Sequence, residues 1–258
     1  MQVAAAVIAI HPAEKRMPAP RKHAASCSSC NLRELCLPGA LDAEDLARID
    51  NLVYARRRVK RGEALYQSGA EFNAIYAIRS GSFKASLFDG EGREQVSGFF
   101  MAGELLGLEA LGSGTYNAAA VALEDSEVCV LPYALIEVMA QEVPGLQRRL
   151  HAVLSREIVR DQGVMMLLGT MRSEQRLATF LLNLSARSVR RGYSSSDFHL
   201  RMTREEMGSY LGLKLETVSR LFSQFHDAGL IAVDHRHVRI LDVPGLQRTL
   251  NERTRVSN

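Results

Sequence analysis

No apolar run in these 258 residues is long enough to span a bilayer. Composition is that of a globular chain, so we expect a soluble protein with no membrane partner. No Ser-His-Asp set and no paired-carboxylate pattern stands out, and no enzyme is expected. There are no internal repeats, which sets aside repeat architectures. Net charge is small, only +3. It is unevenly placed: from Met171 onward 14 Lys/Arg face 9 Asp/Glu, and before it 18 face 20. A basic C-terminal part beside a near-neutral remainder suits DNA binding at one end.

Cysteine is also scarce. There are four, of which Cys27, Cys30 and Cys36 fall within ten residues and Cys129 stands alone. The chain is no small secreted scaffold, so a disulfide framework is not the first reading. Thiolates are soft ligands that suit zinc and iron–sulfur clusters. Zinc sites usually draw on two close pairs, whereas here the fourth cysteine lies 93 residues beyond the third. Three plus one suits a [4Fe–4S] cube with one Cys per iron. The alternative is three exposed thiols and one buried strand cysteine. Ser28, Ser29 and Asn31 adjoin the candidate ligands and would tune solvent access to them, or are ordinary loop residues.

The chain is long enough for two domains with cores. Residues 1–26 are rich in Ala, Pro and Lys/Arg and read as a disordered tail. Met1 to Ile10 resembles a signal h-region, but no positive charge precedes it, and Lys15 and Arg16 follow it instead. We expect a cytoplasmic protein. Leu41 to Leu52 reads as a short helix. From Val53 to Leu131 the texture is short strands broken by glycine. Phe83 to Leu87 alternates apolar and polar, Ser80-Gly81 and Asp89-Gly90-Glu91-Gly92 are turn signals, and Tyr116 to Ala122 and Glu127 to Leu131 read as strands. Many short antiparallel strands imply a β-barrel or jelly roll.

A long helix is predicted from Pro144 to Thr170. Leu154, Ile158, Asp161, Met165 and Leu168 are spaced as the a and d positions of a coiled coil. Packing of this helix on its own domain is the competing reading. In a parallel pair the two Asp161 side chains would face each other, at a cost of about 2 kcal/mol for ~8 Å and an effective dielectric of ~20. Such a charge suits a conditional dimer, with Ile158 and Asp161 as its switch.

Ser173 to Arg191 reads as an amphipathic helix and Phe198 to Met202 as a strand. Thr203-Arg204-Glu205-Glu206 fits a capping box, and Leu211-Gly212 fits a helix stop. Beyond it Val218, Leu221, Phe222 and Phe225 make one buried helical face. The opposite face carries Glu216, Thr217, Ser219 and Arg220, groups that suit base edges and phosphates. Two helices about a glycine turn describe a helix-turn-helix, against two ordinary packed helices. Leu230 to Val233 and His237 to Leu241 read as a hairpin wing.

These residues carry a resemblance. The order of tail cysteines, β-roll, long helix and winged helix-turn-helix resembles the CRP/FNR superfamily of bacterial transcription regulators. The FNR branch, the oxygen-responsive fumarate and nitrate reduction regulators, is the most similar. Glu216-Thr217-Val218-Ser219-Arg220 looks like that branch's recognition helix. Tyr76 to Gly81, Gly103 to Gly107 and Tyr210 to Leu213 are similar to family segments. The resemblance covers about residue 27 to 245.

It implies an α+β fold: an N-terminal cyclic-nucleotide-binding-like β-roll (jelly roll), a long dimerisation helix and a C-terminal winged helix-turn-helix. We divide the chain into residues 1–26 (tail), 27–143 (cysteine loop and sensor domain), 144–170 (dimerisation helix), 171–245 (DNA-binding domain) and 246–258 (C-terminal tail). The resemblance implies a [4Fe–4S] cluster on Cys27, Cys30, Cys36 and Cys129, formed at low oxygen and favouring a homodimer. That dimer would bind double-stranded DNA at a site similar to TTGAT-N4-ATCAA and meet RNA polymerase. The CRP branch binds cyclic AMP with an Arg on the phosphate. No Lys or Arg occurs between Glu104 and Gln147, so we expect no cyclic nucleotide and a Glu104 left without its partner. The competing readings are a zinc, haem or thiol-disulfide trigger on the same fold, or a cluster-bearing electron carrier.

Overall fold

The computed structural model describes residues 27–39, 41–50 and 55–251. The expected tail at 1–26, and residues 51–54 and 252–258, lie outside the described residues. Helix α1 spans Ala43–Ile49, capped by Asp42, whose side chain accepts from the Asp45 N–H at 2.8 Å. It is shorter than the stretch read from the sequence.

Eight strands follow: β1 (Ala55–Val59), β2 (Ala64–Tyr66), β3 (Ala74–Ser80), β4 (Ser82–Phe88), β5 (Glu94–Met101), β6 (Leu105–Leu106), β7 (Ala119–Ala122) and β8 (Ser126–Pro132). They form two four-stranded sheets, ordered β1-β8-β3-β6 and β2-β7-β4-β5, with antiparallel pairing throughout. Val59, Ile78, Phe83, Phe100, Leu106 and Val128 fill the space they enclose. Alternation puts Phe83 and Ala85 inside, but Leu87 is exposed and faces a cleft beside the long helix. The expected strand from Tyr116 begins only at Ala119. Tyr116 instead stacks on Tyr66 with ring centres 4.0 Å apart, and its hydroxyl donates to the Ala74 carbonyl at 2.6 Å.

Helix α2 (Tyr133–Glu142), not foreseen from the sequence, precedes α3 (Pro144–Thr170). The break falls at Val143, which has φ −122° and ψ 88°. The ring of Pro144 bars the helical conformation from the residue before it. Helix α4 (Ser173–Val189) ends two residues short of its expected bound. Then come β9 (Asp197–His199), α5 (Arg204–Leu211), α6 (Leu215–Asp227), β10 (Ile231–Asp234), β11 (His237–Ile240) and α7 (Val243–Asn251). Strands β10, β11 and β9 form an antiparallel sheet in that order, so the wing has a third strand. The expected strand at Phe198 to Met202 is displaced towards the N-terminus, because only Asp197, Phe198 and His199 pair with β11.

The expected C-terminal tail is corrected in its first part. Residues 246–251 belong to α7, which packs on α4. Asp242 accepts from the Gly245 N–H at 2.9 Å at its start, and Leu246 is fully buried.

Candidate cysteine site and nucleic-acid interface

Residues 27–39 form turns only. The N–H of Cys30 donates to Cys27 O at 3.2 Å, Arg33 to Cys30 O at 3.2 Å and Cys36 to Leu32 O at 3.1 Å. The Ser28 N–H and hydroxyl donate to Asp50 at 2.8 and 2.7 Å, fastening the start of the loop to the end of α1. Cys129 lies in β8, opposite Arg56 of β1 and Ala77 of β3. Its neighbours Val128 and Val130 are buried, so the two-residue period turns Cys129 to the other face of the sheet. Cys27, Cys36 and Cys129 pack there against one apolar cluster that includes Leu37, Ile49, Leu131 and Leu146.

All four cysteines are free, half-buried thiols. Burial pushes the Cys27 thiol up to about 12, with Cys129, Asp50 and Cys30 adding to it. Burial likewise pushes Cys36 up to about 12; Cys27, Cys129 and Cys30 add to it against a bond from the Leu37 backbone. Burial raises Cys129 too, opposed by Arg56 and Arg79. The fold thus brings Cys27 and Cys36 to the same apolar cluster as Cys129, although 93 residues separate the third cysteine from the fourth. The Arg79 Nη1 lies 3.9 Å from the Cys30 sulfur, and its Nε pairs with Glu127 at 3.2 Å. Among the described residues no three His, Cys, Asp or Glu side chains gather around a single ion position. Four thiols match the donor chemistry of a [4Fe–4S] cube, one per iron.

At the other end, α5 starts with both bonds of a capping box. The Glu206 N–H donates to Thr203 Oγ1 at 3.1 Å, and the Thr203 N–H donates to Glu206 Oε2 at 2.7 Å. It stops at Gly212, whose φ of 63° is the left-handed conformation that glycine permits. Helix α6 buries Val218, Leu221, Phe222 and Phe225. Glu216, Ser219 and Arg220 are exposed and Thr217 is half-buried. The Arg204 guanidinium lies 3.2 Å from the centre of the Phe222 ring and locks α5 onto α6. Burial pulls its pKa down to about 10.

Along α3 the seam positions are open. Ile158 is 58% and Met165 65% exposed, Asp161 is exposed, and Leu154 and Leu168 are half-buried. Exposed large apolar side chains in a row mark an interaction surface. Ile158, Asp161 and Met165 also border a cleft of ≈ 470 Å³ against the β-roll, with Leu87 and Glu109 on its far wall.

The expectation for Glu104 is corrected. Its partners come from the end of α4 and the turn after it: Arg187 Nη2 and Arg191 Nη2 each approach its carboxylate to 2.6 Å. Burial alone would raise the Glu104 carboxyl, but Arg187 and Arg191 hold it below the ordinary value. The two arginines also donate to the Phe99 and Ala102 carbonyls at 2.7 Å. Sequence reasoning sought the cation near Glu104 in the chain. The signal lay in the run Arg187 to Arg191, because a buried acid needs a cation from somewhere in the fold. The same junction carries a Lys84–Glu206 ion pair at 3.3 Å, a Val96 N–H to Ser209 Oγ bond at 2.8 Å and a Gln95 side-chain bond to the Ser209 carbonyl.

A β-roll joined through a long helix to a winged helix-turn-helix is the plan of a transcription regulator: a sensing fold coupled to a DNA-reading one. Comparison with known proteins agrees. A cyclic nucleotide-binding domain model matches residues 56–142, and a Crp-like helix-turn-helix model matches residues 175–249. The transcriptional regulatory protein btr of Bordetella pertussis is 47% identical over 229 residues, covering 89% of this chain and 95% of that protein. The transcriptional activator protein anr of Pseudomonas aeruginosa is 43% identical over 218 residues, 84% of this chain and 89% of that one. The fumarate and nitrate reduction regulatory protein of Escherichia coli is 38% identical over 214 residues, 83% of this chain and 86% of that one. Among solved structures, FixK2 from Bradyrhizobium japonicum aligns with a TM-score of 0.69 at 28% identity, covering 75% of this chain and 96% of that one. The chain belongs to the CRP/FNR family of transcription regulators, and it is a DNA-binding regulator rather than an enzyme.

Proposed function

We propose that this regulator senses oxygen through a [4Fe–4S] cluster held by Cys27, Cys30, Cys36 and Cys129. The carrying observation is that the loop with Cys27, Cys30 and Cys36 packs on the face of β8 that carries Cys129, with Cys27, Cys36 and Cys129 against one apolar cluster, on a DNA-binding frame. As neutral thiols, Cys27, Cys36 and Cys129 resist ionisation. To hold a cluster, Cys27, Cys36 and Cys129 would have to give up their protons, so loading would release them. When bound, the group supplies an oxygen-labile cross-link between the cysteine loop and β8. Relatives whose names are anr and fumarate and nitrate reduction regulatory protein support this reading.

The loaded chain pairs along Leu154, Ile158, Met165 and Leu168, and Asp161 keeps that pairing conditional. The dimer places two copies of α6 on a two-fold site similar to TTGAT-N4-ATCAA, with Glu216 and Arg220 on base edges and Thr217 and Ser219 beside them. The β-roll exterior is the face for RNA polymerase. Glu104, engaged by Arg187 and Arg191, is not offered to a cyclic nucleotide. No helix of the described residues is long and apolar enough to cross a membrane, in keeping with a regulator that acts in the cytoplasm.

The test is anaerobic purification with an absorbance spectrum and iron and sulfide assays. About four irons and four sulfides per chain are expected, lost with any one of the four cysteines. Stoichiometric zinc without acid-labile sulfide refutes the reading.

A further inference from the structure

The cysteine loop has no regular element of its own, so its position depends on what grips it. Leu37 is buried against Ile49, Val143 and Leu146. Ser28 is bonded to Asp50. The third grip comes from the second turn of α3. Arg149 Nε and Nη2 donate to the Cys36 carbonyl at 3.2 and 2.8 Å, and Nη2 also donates to the Glu34 carbonyl at 3.0 Å.

The loop is shaped for this approach. A Cβ on Gly39 would lie 2.5 Å from Arg149 Nη2 and 2.7 Å from the Glu34 carbonyl. The Cys36 carbonyl also accepts the Gly39 N–H at 3.2 Å, so the turn and the guanidinium share one oxygen. Glu34, whose charge acts on Arg149, makes its own ion pair with Arg33 at 3.2 Å. The Arg149 charge rests on backbone carbonyls, in bonds stronger than neutral ones. A rigid, planar fork tolerates little displacement of its acceptors. Ile158 lies nine residues further along the same helix, about 13 Å by helical rise.

We infer that Arg149 is a positioning residue that couples the Cys36 turn to the dimerisation helix. Its hydrogen bonds among the described residues go to carbonyls and not to a sulfur. It holds the backbone of one candidate ligand against the start of α3, so that ordering the cysteine loop orders the helix that pairs. This inference rests on the proposed cluster reading for its signal, but the contact itself does not.

The test compares Arg149→Gln, Arg149→Lys, Gly39→Ala and the exposed neighbour Arg148→Ala in the full chain. Two readouts are needed. The first is iron and sulfide content with the dimer dissociation constant by sedimentation, loaded and unloaded. Arg149→Gln should take up the same iron and sulfide. It should lose at least about ten-fold of the loading-dependent gain in dimerisation, the worth of one charge-assisted hydrogen bond. Arg149→Lys, a single point donor, should recover part of it. Gly39→Ala should mimic Arg149→Gln with the charge intact, and Arg148→Ala should change nothing. An undiminished gain in Arg149→Gln overturns the inference.

The second readout is amide exchange of the unloaded chain. Arg149→Gln should speed exchange in residues 32–39 and in the first turns of α3 together, and Arg148→Ala in neither. Unchanged exchange in Arg149→Gln also overturns the inference. If the wild type takes up no iron or sulfide, the cluster reading fails, and the exchange result alone decides whether Arg149 couples loop to helix.

Discussion

Replacing Glu104 by Gln removes the charge at the centre of the junction between the β-roll and α4 while keeping its size. The Glu104 side chain is 21% exposed, Arg187 17% and Arg191 4%, so this is close to a buried triad. Taking one partner from a buried pair costs about 3–5 kcal/mol, because the other charge is left uncompensated. The partial exposure and the hydrogen bonds a Gln side chain retains favour the low end, about 3 kcal/mol at neutral pH. The pH dependence has a definite sign. The folded Glu104 carboxyl lies below its ordinary value of 4.5. Below that ordinary value the unfolded chain takes up the proton first, so the stabilisation is present above it and is lost as pH falls through the lower folded value. Urea unfolding of both proteins, followed by circular dichroism from about pH 7 to about pH 3, measures the difference. The gap should be full at neutral pH and close at the acid end. A gap under about 0.5 kcal/mol at neutral pH, the range of ordinary surface substitutions, refutes the reasoning. So does a gap that does not change with pH.

Arg220→Ala should cost about 1–3 kcal/mol of discrimination between cognate and scrambled DNA; equal losses on both in a titration would make Arg220 a phosphate contact. Asp161→Ala should relieve about 2 kcal/mol of repulsion across the seam and give a dimer in air without a cluster. An aerobic monomer by sedimentation, with unchanged DNA binding, would remove Asp161 from the switch. Thr203→Ala breaks one half of the capping box and should lower the stability of the DNA-binding domain by about 1 kcal/mol, read from its urea midpoint.

What was legible in the sequence was local or periodic. The capping box at Thr203 and Glu206, the stop at Gly212 and the buried face of α6 are each decided within a few residues, and each stands in the structure as read. The spacing of Cys27, Cys30 and Cys36 was equally plain. Other features needed the fold. Helix α2 has no buried side chains beyond Ile136 and Met139 and too weak a period to separate it from the strand before it. The start of β7 shifted because the backbone of Tyr116 pairs with Gly69 and Ala70, ahead of the β2 and β4 ladders, while its ring stacks on Tyr66. Glu104 meets its arginines across 83 and 87 residues of chain, and Arg149 meets Cys36 across 113. Nothing near Glu104 or Cys36 in the chain names those partners, and the run Arg187 to Arg191 shows only that cations are at hand.

Those long-range contacts constrain how a signal can travel. Arg149 holds one end of α3 to the cysteine loop. At the other end Arg176 of α4 donates to the Leu168 carbonyl at 2.8 Å, the Met171 carbonyl at 2.9 Å and the Leu211 carbonyl at 2.9 Å, tying the end of α3 to the end of α5. Arg187 of α4 and Arg191 in the turn after it fix the end of α4 to the β-roll through Glu104. A helix of 27 residues, about 40 Å long, is therefore gripped at both ends within one chain. Sliding or hinging it against either domain would break several charge-assisted bonds at once. The face with Ile158, Asp161 and Met165 is instead exposed, along the cleft against the β-roll. In the proposed reading, control at the cysteines must therefore be expressed as pairing between two chains, with each recognition helix carried into register by a partner rather than swung there within its own subunit.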